Sequence, residues 1–138
     1  LLVGDGELRG EIERKIAILG LKDRVLLTGN RSDVFRLLQA MDLFLFPSLW
    51  EGLPVTVVEA QAAGLPCLIS DRITTDVDLS ALVHRLPPDR PDRWADAILH
   101  ADCRRSDAMD EIKRAGFDVK DTAMRLTEFY LSLGENHD

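Results

Sequence analysis

The segment PSLWEGLPVTVVEAQAAGLP, residues 47–66, sets the fold of this 138-residue chain. It follows the apolar run Leu43–Phe46, which is short enough to be a buried β-strand rather than a helix. Pro47 ends that strand because it has no N–H to donate to a neighbouring strand. Gly52 permits a sharp turn, and Pro54 suits the first position of a helix, where a missing N–H costs nothing. We therefore predict a strand, a tight turn and a helix whose free N–H groups face the turn, an arrangement that favours anions.

Two carboxylates lie in this segment, Glu51 in the turn and Glu59 in the helix, with seven residues between them. We predict that the helix runs to about Ala63, with Gly64 in the left-handed conformation that closes many helices. Apolar residues occur on both sides of Glu59, so both faces of the helix are expected to be buried. A buried carboxylate is costly unless hydrogen-bond donors meet it. A ligand diol would supply two donors; alternatively, Glu59 extends to water or pairs with an arginine.

The pairs Pro-Ser, Glu-Gly and Glu-Ala and the terminal Ala-Gly-x-Pro, in this spacing, resemble the signature of the retaining glycosyltransferases of family 4, which have the GT-B fold. In that family a Glu-x7-Glu motif binds the nucleotide-sugar donor. The resemblance implies that Glu51 is the catalytic-site carboxylate that orients the transferred sugar and that Glu59 holds the ribose diol. It also implies that the backbone of Gly52, Leu53 and Pro54 lies close to the sugar and diphosphate. The family often has a second glycine where this chain has Pro54, which removes one N–H donor.

Hydrophobic patterning predicts alternating strands and helices. The predicted strands are Leu1–Val3, Arg24–Thr28, Leu43–Phe46, Pro66–Ser70 and Leu82–Leu86. The predicted helices are Glu7–Leu19, Asp33–Ala40, Pro54–Ala63, Pro91–Ala101, Ser106–Ala115 and Val119–Leu133. The residues expected to face inward from the first and last helices are Leu8, Ile12, Ile16, Leu19, Ala123, Leu126, Phe129, Tyr130 and Leu133. This alternation predicts the α/β class, with a doubly wound, Rossmann-like parallel sheet.

Three loops are further candidates for ligand contact. In the resembled family, the loop that matches Gly29, Asn30 and Arg31 approaches the nucleobase, which makes these residues candidates for donor binding. Arg31 could also reach the diphosphate, and a solvated loop arginine is the alternative; Ser32 is the expected N-cap of the next helix. Residues 4–6 form a Gly-Asp-Gly turn that lacks the third glycine and the lysine of phosphate-binding fingerprints. Asp71–Asp78 follows a strand at the edge where open α/β sheets bind ligands, although loop aspartates are usually only solvated.

Composition places the chain among ordinary globular proteins. Hydrophobic residues make up 46% and charged residues 30%, and the length fits one domain over residues 1–138. The formal net charge of −7 argues against a nucleic-acid partner, because phosphate backbones need a basic surface. No stretch approaches the roughly 18 apolar residues of a membrane span. The chain starts within an apolar run and without Met, so we expect it to be a piece of a longer protein.

Cysteines and histidines give no metal pattern. Cys67 lies in an apolar run and is expected to be a small core residue, and a reducing cytoplasm is the expected compartment. His84, His100 and His137 are scattered, without the spacing of metal ligands. We therefore expect no metal; the resemblance implies no other cofactor and a nucleoside diphosphate sugar as substrate.

The resemblance also implies what lies outside the chain. The C-terminal half of a GT-B enzyme normally opens with one more strand and helix, whose Arg and Lys neutralise the diphosphate, and neither lies here. The acceptor-binding N-terminal domain is expected in the missing part as well, where it would meet a glycan or lipid-linked acceptor, in the cytoplasm or at the inner face of the membrane.

The resulting hypothesis is the donor-binding domain of a retaining, metal-independent hexosyltransferase of polysaccharide biosynthesis. The sequence segments 59–67 and 77–79 resemble the corresponding segments of bacterial enzymes that build capsular or exopolysaccharide. One alternative is a GT-B sugar-nucleotide epimerase, which shares the donor site but needs no acceptor. The other is a non-catalytic nucleotide-binding module.

Overall fold

The structure is a computed structural model that describes residues 1–134 of the chain. Its contacts divide the chain into two compact units, residues 1–37 and the residues from Leu38 onward. The helices are α1 (Arg9–Ile18), α2 (Val34–Ala40), α3 (Val55–Ala62), α4 (Pro91–Leu99), α5 (Met109–Arg114) and α6 (Val119–Gly134), with one 3₁₀ turn at Thr75–Val77. The strands are β1 (Phe44–Phe46), β2 (Cys67–Ser70) and β3 (Val83–Leu86). All six predicted helices are present, with ends that differ from the predicted ones by at most three residues. The prediction of a single domain over residues 1–138 stays a prediction.

The first unit carries less sheet than predicted. The expected strands Leu1–Val3 and Arg24–Thr28 meet only as a parallel bridge between Leu2 and Leu27, followed by an antiparallel bridge between Gly4 and Gly29. Both glycines have positive φ, 127° and 65°, which takes each segment out of the extended conformation and ends the pairing. These two strand predictions are therefore wrong in extent.

Helix α1 also departs from its prediction. It buries none of its residues, so the expected inward stripe is wrong for this helix. Gly20 follows the end of the helix with φ of 67°, and the Leu21 N–H donates to the Ile16 carbonyl at 2.9 Å. Arg9 forms ion pairs with Asp5 and Glu13 along the exposed surface.

The second unit contains a parallel sheet with the strand order β1-β2-β3. Phe46 pairs with Ile69, and Ile69 pairs with Arg85, so the carboxyl ends of all three strands lie at one edge. The central strand β2 is buried at every residue, as its apolar sequence predicts. Among residues 1–134, β1 has one neighbour in this sheet, and the expected further strand stays a prediction. The predicted α/β class with a parallel sheet is confirmed.

Helix α3 crosses from β1 to β2 and ends where predicted. Gly64 has φ of 76°, and a Cβ there would lie 2.8 Å from the Ser106 carbonyl oxygen, so the position requires glycine twice over. The Arg105 guanidinium donates to the carbonyl of Ala63 at 2.5 Å. It also donates to the carbonyls of residues 38, 39 and 41, at the end of α2. One cation thus meets the carbonyl ends of two helices, where the helix dipole favours positive charge.

The last helix, α6, is exposed where the sequence predicts a buried stripe. Leu126 is 52% exposed, Phe129 56%, Tyr130 63% and Leu133 48%. Periodicity identifies an apolar face but not what covers it, so this prediction of inward residues is wrong for the described structure. By contrast, Trp94 of α4 is buried and donates its indole N–H to the Pro87 carbonyl at 3.0 Å.

Candidate functional site

The turn between β1 and α3 brings together four of the predicted site residues, Glu51, Gly52, Leu53 and Pro54. Pro54 takes the N-cap position, with φ −74° and ψ 90°, rather than the predicted first helical position. Its extended ψ lies outside the helical range, and its carbonyl accepts the first helical hydrogen bond, from Val57 N–H at 3.0 Å. The proline ring is buried, while the residues of the turn before it are exposed. The turn therefore presents Glu51, Gly52 and Leu53 to solvent at the N-terminus of α3.

Glu51 has one fixed partner in the turn. The Ser48 hydroxyl donates a 2.7 Å hydrogen bond to Glu51 Oε1 and lies 3.4 Å from the Trp50 carbonyl. Glu51 is exposed, so its other carboxylate oxygen remains open to a ligand. The Pro-Ser pair that supplies this hydroxyl is visible in the sequence, but the spacing of Ser48 and Glu51 does not predict the hydrogen bond between them.

Gly52 is not demanded by the fold. Its φ is not positive, and a Cβ placed on it would have no atom within 4 Å. The predicted turn is present, but its conformation does not require glycine at position 52. Because this glycine has no side chain, the backbone of the turn is open to the close approach of a ligand.

Helix α3 presents Glu59 to solvent. The helix buries Val57, Val58, Ala60 and Gln61, while its opposite side, with Glu59, is exposed. The expectation that both faces are buried is wrong, and Glu59 is not a buried carboxylate. Within residues 1–134, no ion pair and no side-chain hydrogen bond involves the Glu59 carboxylate. It therefore agrees with the alternative in which the side chain extends to water, and it is accessible to a ligand hydroxyl.

The remaining predicted donor-binding residues lie in the first unit. Gly29 takes φ of 65°, and Asn30 is exposed. Arg31 donates to both carboxylate oxygens of Asp33, at 2.8 and 2.7 Å. This pairing raises the pKa of Arg31 and lowers the pKa of Asp33, chiefly through the hydrogen bonds between them. The part these residues take in donor binding stays a prediction.

The N-cap predicted at Ser32 is wrong. Helix α2 begins at Val34, and the first helical hydrogen bond, from Arg36 N–H, goes to the carbonyl of Asp33 at 2.9 Å. The boundary therefore falls one residue later, at Asp33, whose side chain is held by Arg31 instead of capping the helix.

Two polar residues of the second unit were missed by the sequence reasoning. Gln61 is fully buried in α3 and donates to the carbonyls of Val57 and Val77, while Ser80 donates to its side-chain oxygen. Arg85 of β3 donates to the carboxylate of Asp78, to the carbonyl of Ser70 at the end of β2, and to two carbonyls of the following loop. The sequence does show a glutamine in an apolar helix and an arginine in a strand. It does not show which groups these side chains bond to.

The thiols have different environments. Cys67 is buried in β2, as predicted, and desolvation by burial raises the pKa of its thiol to about 12, so it is no nucleophile at neutral pH. Cys103 is exposed. His84 lies on β3 and His100 at the end of α4, while His137 lies outside the described residues. Over residues 1–134, no three His, Cys, Asp or Glu side chains form a group that could hold a metal ion.

No helix between residues 1 and 134 is both long and apolar enough to cross a bilayer.

Comparison with a family model gives a match over residues 1–101, to the family described as glycosyl transferases group 1. Among solved structures, sucrose-phosphate synthase from Thermosynechococcus elongatus matches with a TM-score of 0.76 and 22% identity. The match covers 98% of this chain and 38% of that protein. At this identity the likeness establishes the fold, and the expected GT-B fold is confirmed.

Several curated relatives are similar in sequence. EpsF of Bacillus subtilis strain 168, which is named as a glycosyltransferase, is 39% identical over 145 residues, 100% of this chain and 38% of EpsF. The UDP-Gal:alpha-D-GlcNAc-diphosphoundecaprenol alpha-1,3-galactosyltransferase of Escherichia coli is 46% identical over 72 residues, 51% of this chain and 19% of that protein. The Vi polysaccharide biosynthesis protein VipC/TviE of Salmonella typhi is 43% identical over 68 residues, 49% of this chain and 12% of that protein. The chain thus spans well under half the length of each.

Proposed function

This chain belongs to the family of glycosyl transferases group 1, and we propose that it is the part of a larger retaining hexosyltransferase that binds the nucleotide-sugar donor. The observation that carries the proposal is the pair of exposed carboxylates, Glu51 in the turn that precedes α3 and Glu59 in the middle of that helix. A nucleoside diphosphate sugar offers two diols, one on the sugar and one on the ribose. Carboxylates accept hydrogen bonds from hydroxyl groups, and charged acceptors make the stronger bonds.

Each carboxylate has its own role in this proposal. Glu51 orients the transferred sugar through the oxygen that Ser48 does not occupy. Glu59 holds the ribose diol, since its carboxylate has no partner within residues 1–134 to displace. The open backbone at Gly52 lets the diphosphate pass between the two contacts. For the first unit taken by itself, the proposal retains Gly29, Asn30 and Arg31 as candidate contacts to the nucleobase, on the resemblance of their loop to the family's.

The chemistry required of the site is electrostatic. When the bond between the anomeric carbon and the diphosphate breaks, negative charge grows on the leaving phosphate. Amide N–H groups at the N-terminus of α3 stabilise that charge, and cations from the rest of the enzyme complete the neutralisation. Neither a metal ion nor another cofactor enters the proposal.

The acceptor is a glycan or a lipid-linked sugar, bound by an N-terminal domain outside this chain. The names of two relatives support this choice, since one acts on a diphosphoundecaprenol-linked sugar and the other belongs to Vi polysaccharide biosynthesis. A bacterial capsular or exopolysaccharide is therefore the product we propose for the complete enzyme, made in the cytoplasm or at the inner face of the membrane.

The test is incubation of the complete protein with a panel of nucleoside diphosphate hexoses, with and without a diphosphoundecaprenol-linked sugar. The proposal predicts a new glycosidic bond that appears only with the acceptor and retains the donor's anomeric configuration by NMR. An epimerised nucleotide sugar formed from donor alone would establish the epimerase alternative. Binding of the donor without either product would favour the non-catalytic module.

A further inference from the structure

The loop after β2, Asp71–Asp78, is held in place from two directions. From β3, Arg85 Nη1 donates to the Ile73 carbonyl at 2.9 Å and Nη2 donates to the Thr74 carbonyl at 2.7 Å. The Arg85 guanidinium also forms an ion pair with Asp78 at 2.9 Å, with the two side chains only 21% and 35% exposed. The planar guanidinium of Arg85 thus holds Ile73 and Thr74 in the first half of the loop and Asp78 at its end.

The second attachment comes from the helix of the glutamate motif. The fully buried Gln61 of α3 donates to the Val77 carbonyl at 2.8 Å, and Ser80 donates to its oxygen at 2.9 Å. Inside the loop, the Thr74 hydroxyl accepts from the Asp76 N–H and caps the 3₁₀ turn. The loop is therefore tied to the same helix that carries Glu59, and its conformation is specified by buried, satisfied polar groups.

The register of the sheet puts this loop beside the Glu51 turn. Phe46, the last residue of β1, is level with Ile69, and β2 ends one residue later, at Ser70; neighbouring strands lie about 4.8 Å apart. Strands β1 and β2 therefore end at the same edge of the sheet. The Glu51 turn and the loop Asp71–Asp78 are consequently neighbouring loops at the edge where parallel sheets bind their ligands.

The outward surface of the loop is polar. Asp71, Arg72, Thr75 and Asp76 are exposed. The ion pair between Arg72 and Asp89 is 3.2 Å long, with side chains 50% and 66% exposed, and such pairs are easily exchanged for a ligand contact. Carboxylates, a hydroxyl and a guanidinium are the groups that hydrogen-bond to a sugar's hydroxyls.

We propose that the loop Asp71–Asp78 forms a wall of the sugar pocket beside Glu51, and that Arg85 is the positioning residue that holds this wall. The inference rests on the proposed donor-binding function and adds to it a determinant of the transferred sugar. The loop meets the sugar and not the nucleoside diphosphate, so the two ligands separate its contribution from that of Glu59.

The first experiment is hydrogen–deuterium exchange on the complete protein. The ligands are the uridine, guanosine, adenosine and thymidine diphosphates and the corresponding nucleoside diphosphate hexoses. We expect one nucleotide sugar to slow exchange in residues 71–78 well beyond the effect of its nucleoside diphosphate. Binding that protects residues 50–60 but leaves residues 71–78 unchanged would overturn the inference while sparing the proposed function. If none of these ligands binds, the proposed function itself fails.

The second experiment compares Arg85→Lys with Arg93→Lys, a matched control on the exposed surface of α4. Lysine keeps the charge but cannot reproduce the fork of hydrogen bonds. We expect Arg85→Lys to raise the nucleotide-sugar Kd about tenfold relative to the nucleoside diphosphate Kd. A general loss of stability would weaken both ligands alike and leave this ratio unchanged. An unchanged ratio in a folded Arg85→Lys protein would overturn the positioning role. If Arg85→Lys does not fold, the exchange experiment on the unmodified protein decides the question.

Discussion

The Ser48 hydroxyl donates a 2.7 Å hydrogen bond to Oε1 of Glu51, three residues further along the exposed turn between β1 and α3. The bond occupies one carboxylate oxygen and leaves the other to a ligand. It also restricts the side chain before any ligand arrives, which lowers the entropy cost of binding. Ser48 is thus the residue that gives the motif's first glutamate its orientation.

Replacing Ser48 with alanine should weaken binding of the nucleotide sugar without unfolding the protein. A hydrogen bond to a charged group contributes about 1.5–3 kcal/mol, and exposure of this one puts the loss at the lower end, roughly tenfold in Kd. Calorimetry with the donor measures it. Ser48→Thr keeps the hydroxyl and should retain most of the affinity. Equal losses for the two variants would contradict the role given to the hydroxyl.

Gly52→Ala should affect binding and not folding. A Cβ at Gly52 meets no atom within 4 Å, so we expect the free energy of unfolding to change by less than about 0.5 kcal/mol. The same Cβ would stand where the diphosphate is proposed to pass, and affinity for the nucleoside diphosphate should fall about tenfold or more. Denaturant titration and calorimetry on one preparation give both quantities.

Gly64→Ala is the reciprocal control for that experiment. Its φ of 76° and the 2.8 Å approach to the Ser106 carbonyl oxygen should cost roughly 1–3 kcal/mol of stability. Its effect on affinity should be small, because Gly64 lies at the far end of α3 from the motif turn. A stable Gly64→Ala protein, or an unstable Gly52→Ala protein, would contradict the geometry of this segment.

Arg105→Met should destabilise the second unit. Its guanidinium donates to carbonyls at the C-terminal ends of α2 and α3, including Met41 at 2.6 Å and Ala63 at 2.5 Å. We expect a loss of about 1.5–3 kcal/mol, measured by denaturant titration. Arg104→Met is the matched control, since Arg104 is 88% exposed and pairs only with exposed Asp102. Equal effects of the two substitutions would refute the helix-end role of Arg105.

The two cysteines should differ in reactivity. Burial raises the pKa of Cys67 to about 12, whereas Cys103 is exposed, so a thiol reagent at pH 8 should modify Cys103 rapidly and Cys67 only after unfolding. The unfolded Cys67 thiol ionises near pH 9, below the folded value, so its contribution to stability is complete below about pH 9 and disappears as pH rises towards 12. Mass spectrometry of the labelled peptides measures the reactivity. Rapid labelling of Cys67 in the folded protein would contradict its burial.

The elements that sequence predicted well are those whose signals are local. The apolar run of β2 and the Gly64 helix end depend on neighbouring residues alone, and both are where they were expected. Patterning also predicted the six α-helices within residues 1–134, since amphipathic periodicity and terminal Gly or Pro are local as well.

The features that were missed depend on distant partners. Arg85 is hydrogen-bonded to residues that precede it by 7 to 15 positions, and Gln61 to a carbonyl 16 residues away. No spacing rule specifies such contacts. The apolar residues of α6 were wrongly predicted to be buried, because an apolar helix face does not by itself show which part of the protein covers it. Both faces of α3 were expected to be buried because apolar residues lie on both sides of Glu59, whereas half of α3 faces solvent.

The most direct test of the donor-site proposal is calorimetry on the complete protein, in which Glu51→Gln and Glu59→Gln are each titrated with a nucleoside diphosphate and with the corresponding nucleotide sugar. Glutamine keeps the shape of glutamate and removes its charge. We expect Glu59→Gln to weaken both ligands by roughly tenfold or more, and Glu51→Gln to weaken only the nucleotide sugar by a similar factor. If Glu51→Gln weakens the bare diphosphate as much as the nucleotide sugar, or Glu59→Gln leaves both affinities unchanged, the assignment of the two carboxylates is contradicted.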